Sequence, residues 1–456
     1  MSPAQDRPLV DGLSPPLLHW AMAVIASGIT LSVLDATLIS VALPSIARDL
    51  GATPSASIWV INAYQIAVIV SLLPLATLGD KFGYRRIYRL GMALFIVASV
   101  GCVLAGSITS LSIARAVQGL GAAGIMSVNA ALVRLIYPRR RLGRGIALNA
   151  LIVAAATAAG PSIAAAILAV GTWQWLFLIN LPLGFLTLAG AMKFLPASTK
   201  APGPFDLSSA ALSMMTFGLV FSGIDSLGHL DFSATTAALI VSGLAIGTLF
   251  VRRQLRLPLP LLPVDLLRIP VFALSIGTSV CSFAAQMIAF IALPFFLQQS
   301  LGRTPVETGL LMTPWPLALM AVAPLSARLL DRYPAGLLGG VGLGLFSIGL
   351  IALGQLPADP SGFDVGWRMT LCGVGFGLFQ SPNNHTILTV GPAHRSGGAS
   401  GMLGTARLSG QTIGATIVAL SFALLPDSIR VAMFVAATLA AVGAVLSALR
   451  VGRLPR

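Results

Sequence analysis

The sequence predicts an all-α integral membrane protein with about fourteen membrane-spanning helices. Hydrophobic residues make up 56% of its 456 residues and charged residues only 9%, whereas about a quarter of the residues in a soluble domain are charged. Apolar stretches of roughly 20 residues, the length that a helix needs to cross a bilayer, recur along the whole chain. The composition and the recurring apolar stretches together exclude a soluble domain.

Charged residues, Pro and Gly divide the chain into fourteen predicted spans. The spans cover residues 18–43, 57–78, 87–106, 109–133, 145–169, 174–195, 207–227, 234–251, 271–297, 307–329, 335–355, 366–390, 399–425 and 430–449. The alternative is a twelve-span protein in which residues 207–251 form a soluble insertion. We favour fourteen spans because segments 207–227 and 234–251 are as apolar as the others. Either even number places both termini on the same side of the membrane.

Loop charge predicts which side of the membrane that is. The net charge is +14, and most Lys and Arg lie in loops that are cytoplasmic if the N-terminus is cytoplasmic. The main clusters are 81–89, 134–144, 252–268 and 450–456. This distribution follows the positive-inside rule, so we expect a multi-pass protein of the bacterial cytoplasmic (inner) membrane with both termini in the cytoplasm. The scatter of these residues over many short loops excludes a nucleic-acid-binding face.

The chain also contains a weak internal repeat, in which an offset of 254 residues aligns glycines and polar residues of its two halves. The aligned pairs are Gly119 and Gly373, Gly121 and Gly375, Ser127 and Ser381, Asn129 and Asn383, and Gly160 and Gly414. Parallel repeats of this kind build one large group of transporters. We therefore predict two six-helix bundles, residues 18–195 and 271–449. Two extra helices with cytoplasmic flanks occupy 196–270, and short cytoplasmic tails cover 1–17 and 450–456.

Asp35 is the candidate proton-binding residue. It is the only charged side chain between Leu13 and Ala47, inside the first predicted span, and no cationic residue lies one helical turn away. A carboxylate at that depth costs roughly 2.5 to 3.5 kcal/mol on insertion scales, and such a residue marks a functional site by default. Its isolation within the span favours binding of a proton.

The loop after the second span reads Gly-Asp-Lys-Phe-Gly-Tyr-Arg-Arg over residues 79–86. This segment resembles the loop signature of the major facilitator superfamily, and a weaker echo follows the tenth span at Asp331 and Arg332. The alternative is simple cytoplasmic anchoring charge. The resemblance implies that the loop holds the outward-facing state by ion pairs that break as the two halves rock. The gating residues that it implies in the loop are Gly79, Asp80, Lys81, Gly83, Arg85 and Arg86.

Arg115 with the glycines that follow it resembles the fourth-span motif of that superfamily, and the Gly160-Pro161 pair in the fifth span resembles the antiporter motif of its drug exporters. Residues 34–44 in the first span and 173–184 entering the sixth are similar to signatures of its fourteen-span drug:proton antiporters. The resemblance implies that Arg115 communicates with Asp35 and that Gly160 and Pro161 belong to the half-to-half interface. The alternatives are an Arg115 that reaches a membrane surface and a Pro161 that only kinks its helix.

Polar and large side chains within the spans are candidates for a cargo cavity, although an interhelical hydrogen bond is the alternative for each of them alone. These candidates are Asn62, Gln65, Gln118, Asn129, Asn149, Gln286, Met287, Trp315, Gln380, Asn383, Asn384, Arg407 and Gln411. Glu307 and Asp225 are secondary acidic candidates near membrane depth. The three Cys and four His are widely separated, so we expect no metal site and no cofactor other than the coupling proton.

Together these features predict a proton-driven antiporter, not an enzyme, that exports amphipathic, cationic drugs, dyes or biocides by alternating access. Its expected partners are the lipid bilayer, protons and small cargo molecules, without nucleic acid, and we expect a monomer. One alternative is an exporter of a single metabolite on the same fold. A remoter alternative is a membrane sensor that transports nothing, because intramembrane charge usually marks a transport path.

Overall fold

The computed structural model describes residues 12–198, 206–228, 233–257, 260–357, 359–390, 396–424 and 428–451, almost all of them helical. The α-helices are α1 (Pro15–Asp49), α2 (Pro54–Ser57), α3 (Trp59–Phe82), α4 (Tyr84–Val103), α5 (Ile108–Ile136), α6 (Leu142–Val170), α7 (Trp175–Leu178), α8 (Asn180–Phe194), α9 (Leu207–Gly228), α10 (Ala234–Gln254), α11 (Pro270–Phe295), α12 (Pro305–Met312), α13 (Pro314–Leu329), α14 (Ala335–Gly354), α15 (Gly362–Val390), α16 (Ser396–Leu424) and α17 (Ser428–Ala448). The predicted all-α class is confirmed.

Eleven of the described segments are long and apolar enough to cross a membrane, and α6 makes twelve if its two bent parts count as one span. Three of these segments join a short helix to a long one through a single helical residue: α2 to α3, α7 to α8, and α12 to α13. The two remaining long helices, α15 and α16, have 29 residues each. They coincide with the predicted spans 366–390 and 399–425, so the number fourteen stays a prediction that the helix lengths support.

Helix α6 bends at its proline. Its two parts, Arg144–Thr157 and Ala159–Val170, meet at 40°. Pro161 lies in the second part and has no backbone N–H, so the Thr157 carbonyl one turn earlier loses its usual intrahelical donor. The bend that the sequence predicts at Pro161 therefore has a direct backbone cause.

Equivalent helices pack in equivalent ways in the two halves of the chain. In the first half α5 packs against α3 and α4, and α1 packs against α6. In the second half α15 packs against α13 and α14, and α11 packs against α16. The same set of helix contacts therefore occurs twice. In the sequence, helices α9 and α10 lie between these two groups of helices.

The aligned glycines show how close this correspondence is. A methyl group added to Gly119 would overlap the carbonyl oxygen of Tyr64 and lie 2.9 Å from the Cβ atom of Ala67. One added to Gly373 would overlap the carbonyl oxygen of Trp315 and lie 2.8 Å from the Cβ atom of Ala318. Each glycine therefore permits the same close backbone approach between two helices of its own half.

The extra helices α9 and α10 pack against each other, and α9 also contacts α3 and α16. The pair therefore touches one helix from each half. Near the start of α9, Asp206 accepts hydrogen bonds from Ser209 and forms an ion pair of 2.9 Å with Arg253 of α10. The hydrogen bonds from Ser209 and the charge of Arg253 lower the pKa of Asp206, although its partial burial acts in the opposite direction.

We expect Gly119→Ala and Gly373→Ala each to lower the free energy of unfolding by about 1–3 kcal/mol, because overpacking displaces a neighbouring backbone. Titration of the detergent-solubilised protein with SDS measures this change. Gly344→Ala in α14 is the matched control, since nothing lies within 4 Å of the added methyl group. Equal losses in all three variants would contradict the close approach.

Candidate functional site

Asp35 of α1 lies at the centre of a buried polar cluster and is 1% exposed. Nη1 of Arg115, from α5, donates to its Oδ2 atom in a salt bridge. Its Oδ1 atom accepts hydrogen bonds from Nε2 of Gln118 at 3.1 Å and Nδ2 of Asn180 at 2.8 Å. Three helices, α5, α8 and α1 itself, therefore meet at one carboxylate.

Arg115 is held as firmly as its partner and is also 1% exposed. Its Nε atom donates to the backbone carbonyl of Val60 at 3.1 Å, and Nη1 also donates to Oε1 of Gln118 at 2.6 Å. The guanidinium carbon lies 4.3 Å from the ring centre of Tyr64 and 5.7 Å from that of Phe177. Arg115 is therefore buried inside the helix assembly, and its charge is paired, hydrogen-bonded and stacked on an aromatic ring.

No cation lies one helical turn from Asp35 in the sequence, but one lies beside it in the structure. The cation comes from another helix, 80 positions away along the chain. The sequence also gave no role to Asn180, or to Ser99, whose hydroxyl accepts a hydrogen bond from Gln118 at 2.9 Å. Asn180 had a usable signal, because it is the only polar side chain apart from the indole of Trp175 in the run 175–186.

At the positions equivalent to Asp35 and Arg115, the second half has apolar residues. The offset of 250 residues that aligns Pro44 with Pro294 places Ala285 opposite Asp35, and the offset of 254 places Met369 opposite Arg115. Ala285 and Met369 are both fully buried. The ion pair is therefore specific to the first half, and apolar packing fills the equivalent space in the second.

The predicted loop at residues 79–86 is a tight turn that comprises the end of α3, Gly83 and the start of α4. It contacts the chain that follows α8. Gly83 takes the left-handed conformation, with φ of 99°, which L side chains rarely adopt. The Tyr84 hydroxyl donates to Oδ1 of Asp80 at 2.5 Å, and the Tyr84 amide donates to the Ser198 hydroxyl at 3.0 Å. Arg85 donates to the carbonyl of Leu195 at 3.2 Å. These contacts lie within the first half and order the loop there.

The other gating candidates differ in exposure. Arg86 is exposed and Lys81 is half-buried. Asp331 and Arg332, in the corresponding turn between α13 and α14, are both exposed. Gly79, by contrast, is buried, and a Cβ atom there would lie 2.7 Å from Val128 of α5.

Gly160 and Pro161 lie where the two halves meet. A Cβ atom on Gly160 would overlap the side chain of Thr37, two residues from Asp35 on α1. A Cβ atom on Gly309 of α12 would lie 2.5 Å from the carbonyl oxygen of Pro161. Beside them, the hydroxyls of Ser162 and Thr313 share a hydrogen bond of 2.7 Å. Here α6 packs on α1 within its own half and on α12 of the other half.

Some cavity candidates meet between the halves, where α3, α11 and α16 converge. Nε2 of Gln65 lies 3.8 Å from the sulfur of Met287, and the Thr412 hydroxyl donates to Oε1 of Gln65 at 3.5 Å. Gln286 is buried beside Met287 on α11. On α16, Arg407 and Gln411 are half-buried close to Thr412. We call this convergence the inter-half surface.

Other cavity candidates lie within one half. Gln118 belongs to the Asp35 cluster, and Asn129 donates to Asn149 at 3.0 Å. Trp315 is fully buried, with its ring centre 4.9 Å from that of Phe290, so it packs in the core of the second half. Asn383 donates to the Ser279 hydroxyl at 2.8 Å. Gln380 and Asn384 are half-buried on α15.

The two secondary acidic candidates differ. Asp225 of α9 is fully buried, and Nδ2 of Asn62 on α3 donates to its Oδ1 atom. Glu307 is exposed and closes a capping box at the start of α12, where the Thr304 amide donates to its Oε2 atom at 2.8 Å. The structure therefore places Asp225 inside the helix assembly and uses Glu307 as a helix cap.

Arg450 is a correction to the predicted cytoplasmic tail at 450–456. The residue is 1% exposed, and Nη1 donates to the Ser275 hydroxyl at 2.8 Å and to Oδ1 of Asn383 at 2.7 Å. Sequence position at the end of the last span suggested a solvated charge. The polar residues of α11 and α15 that receive the guanidinium are distant in the sequence, so the prediction missed them.

We expect Arg115→Gln to lower the free energy of unfolding by about 3–5 kcal/mol, because it leaves a buried carboxylate without its cation. The double variant Asp35→Asn/Arg115→Gln should be less destabilised than Arg115→Gln alone, since no charge is then buried. SDS titration of the wild type, Asp35→Asn, Arg115→Gln and the double variant completes the double-mutant cycle. Arg303→Gln is the control, since Arg303 forms a surface pair of 3.7 Å with Asp359. If the double variant lost as much free energy of unfolding as the two single variants together, Asp35 and Arg115 would not be coupled.

Comparison with known proteins agrees with this architecture. The family model of the Major Facilitator Superfamily matches residues 25–415. The chain is 54% identical to the uncharacterized transporter YebQ of Escherichia coli over 97% of both chains. It is 31% identical to the multidrug resistance protein Stp of Mycobacterium tuberculosis, over 87% of this chain and 75% of that protein.

Among solved structures, the fold is similar to that of a POT family transporter in complex with a thioalcohol-conjugated peptide. The TM-score is 0.75, with 96% of each chain covered and 16% sequence identity. At that identity the likeness concerns the fold alone. The predicted fold class and resemblance to the drug exporters of this superfamily are confirmed, as is the prediction that the chain is no enzyme. The chain belongs to the Major Facilitator Superfamily and is a multi-pass membrane transporter.

Proposed function

We propose that this transporter is a proton-driven antiporter that exports amphipathic drugs, dyes or biocides by alternating access, with Asp35 as its protonation site. The observation that carries the proposal is the buried pair of Asp35 and Arg115. A related protein is named for multidrug resistance, which supports drugs as the cargo class over a single metabolite. A membrane potential of 100 mV contributes about 2.3 kcal/mol for each charge that crosses.

A proton on Asp35 acts by removing the negative charge that Arg115 faces. The guanidinium then remains buried, with only neutral oxygen atoms and aromatic rings around it. Loss of one partner from a buried ion pair costs about 3–5 kcal/mol. Two transporter conformations differ by a few kcal/mol, so protonation is large enough to change which of them is populated.

Helix α1 connects the ion pair to the interface between the halves. Asp35 faces α5 and α8, while Thr37, two residues further, packs on Gly160 of α6. The adjacent Pro161 carbonyl lies against Gly309 of the second half. A shift of α1 that follows loss of the ion pair therefore changes the packing at this interface. The loop at 79–86 acts as the gate on the cytoplasmic side.

Direct pairing of a cationic cargo with Asp35 is not the mechanism that we propose. Both carboxylate oxygens are already hydrogen-bonded, and the side chain is 1% exposed. Proton and cargo instead exclude each other through the conformational equilibrium. The inter-half surface, with Gln65, Met287 and Thr412, is the proposed cargo site. The charge of the cargo is then set by that surface and not by Asp35.

The remaining elements of the proposal concern location and partners. We propose that the transporter works as a monomer in the bacterial cytoplasmic membrane, with both termini in the cytoplasm. The clustering of Lys and Arg in alternate loops supports this orientation. In this orientation, the contact of Pro161 with Gly309 lies toward the periplasmic side.

We expect Asp35→Asn to reduce dye transport driven by a pH gradient by about tenfold or more, because the side chain no longer exchanges a proton. Proteoliposomes with an imposed gradient, loaded in turn with several unrelated dyes, provide the measurement. Wild-type transport should collapse with a protonophore. Asp359→Asn, an exposed carboxylate with 95% of its side chain accessible, is the control. Gradient-driven transport by Asp35→Asn at the wild-type rate would rule out Asp35 as the coupling site.

We expect one proton per cargo molecule, because Asp35 is the carboxylate whose protonation breaks a buried ion pair. Asp225→Asn and Glu307→Gln should therefore keep the wild-type stoichiometry, measured as the reversal potential of transport in proteoliposomes. Asp225→Asn is the more informative variant, because Asp225 is buried whereas Glu307 is an exposed helix cap. A lower stoichiometry in Asp225→Asn would assign a second coupled proton to α9.

A further inference from the structure

Arg407 is a cation at the middle of the membrane on the face that α16 presents to the first half. A Cβ atom on Gly404 would lie 3.4 Å from Leu72, and the Thr412 hydroxyl donates to Gln65 at 3.5 Å. Residues 404–412 of α16 therefore run antiparallel beside residues 65–72 of α3. These are the central residues of α3 (Trp59–Phe82), so Arg407 lies near the centre of the bilayer.

No carboxylate neutralises Arg407 in the part of the chain that the structure describes. Its Nε atom is buried and has no hydrogen-bond partner there, and none of the described ion pairs includes the residue. The two buried carboxylates have other partners: Asp35 pairs with Arg115, and Asp225 accepts a hydrogen bond from Asn62.

Arg115 and Arg450, the arginines that are buried in the described part of the chain, are in a different situation. Arg115 has a carboxylate partner, and Arg450 donates to serine and asparagine oxygens on three sides. Their donors are therefore used within the protein. A guanidinium at mid-membrane is costly to insert, and such a group marks a transport path. Arg407 keeps its donors available at the inter-half surface, where cargo would bind.

We propose that Arg407 recognises an acidic group of the cargo, so that the transported compounds are amphiphiles that carry a carboxylate or a comparable anion. A guanidinium binds a carboxylate through two parallel hydrogen bonds, which gives strength and orientation together. Gln65 and Gln411 offer amide donors nearby, and Met287 and Leu408 offer apolar surface for the rest of the molecule. This inference rests on the proposed export function and replaces the expectation of a purely cationic cargo.

The test uses a rhodamine dye with a free carboxylate and its methyl ester, which differ only in the acidic group. Proteoliposomes that contain the full-length wild type, Arg407→Gln or Arg407→Lys transport each dye under the same pH gradient. Arg256→Gln is the matched control, because this exposed arginine follows α10 and lies outside the inter-half surface. The readout is the ratio of acid transport to ester transport, which does not depend on how much protein folds and inserts.

We expect Arg407→Gln to lower this ratio by about tenfold, equivalent to ~1.4 kcal/mol of lost binding free energy. Arg407→Lys should keep most of the preference, and Arg256→Gln should keep all of it. An unchanged ratio in Arg407→Gln, or a wild type that transports the ester alone, would overturn the inference and leave proton-driven export intact. If the wild type transports neither dye, nor any dye of the wider panel, the proposed function itself fails.

Discussion

The ion pair between Asp35 and Arg115 is the interaction on which the first half of the transporter depends. Two opposite charges, each 1% exposed, are balanced by each other and by the amides of Gln118 and Asn180. A buried pair of this kind adds little net stability compared with apolar packing, but removal of either charge is costly. The pair is therefore suited to a switch, because a single proton is enough to remove one of its charges.

The internal repeat shows that the two halves differ at the ion pair. The glycine contacts of α5 and α15 are nearly the same, so the two halves share a helical framework. On that framework the first half carries the ion pair, and the second carries Ala285 and Met369 at the equivalent positions. We infer a division of roles in which the first half binds the proton, while α11 and α16 of the second half contribute side chains to the cargo site.

Sequence reasoning predicted the helical class and the family, because these depend on apolar length and residue spacing. It also singled out Asp35 because a buried charge is costly, and its role in proton binding stays a prediction. It did not reach the contacts of Asn180 or the burial of Arg450. Those contacts join residues that are 145 and 67 positions apart, and no periodicity within one helix encodes them. It also assigned Trp315 to a cavity, although an aromatic ring is equally suited to a core.

In the coupling that we propose, Asp35 takes up a proton when cargo leaves the transporter and loses it when cargo binds. Infrared difference spectroscopy of the purified protein, recorded on addition and removal of cargo, detects the carbonyl band of a protonated carboxylic acid directly. We expect cargo binding to remove such a band in the wild type, and we expect no such change in Asp35→Asn. An identical difference band in the two proteins would contradict it.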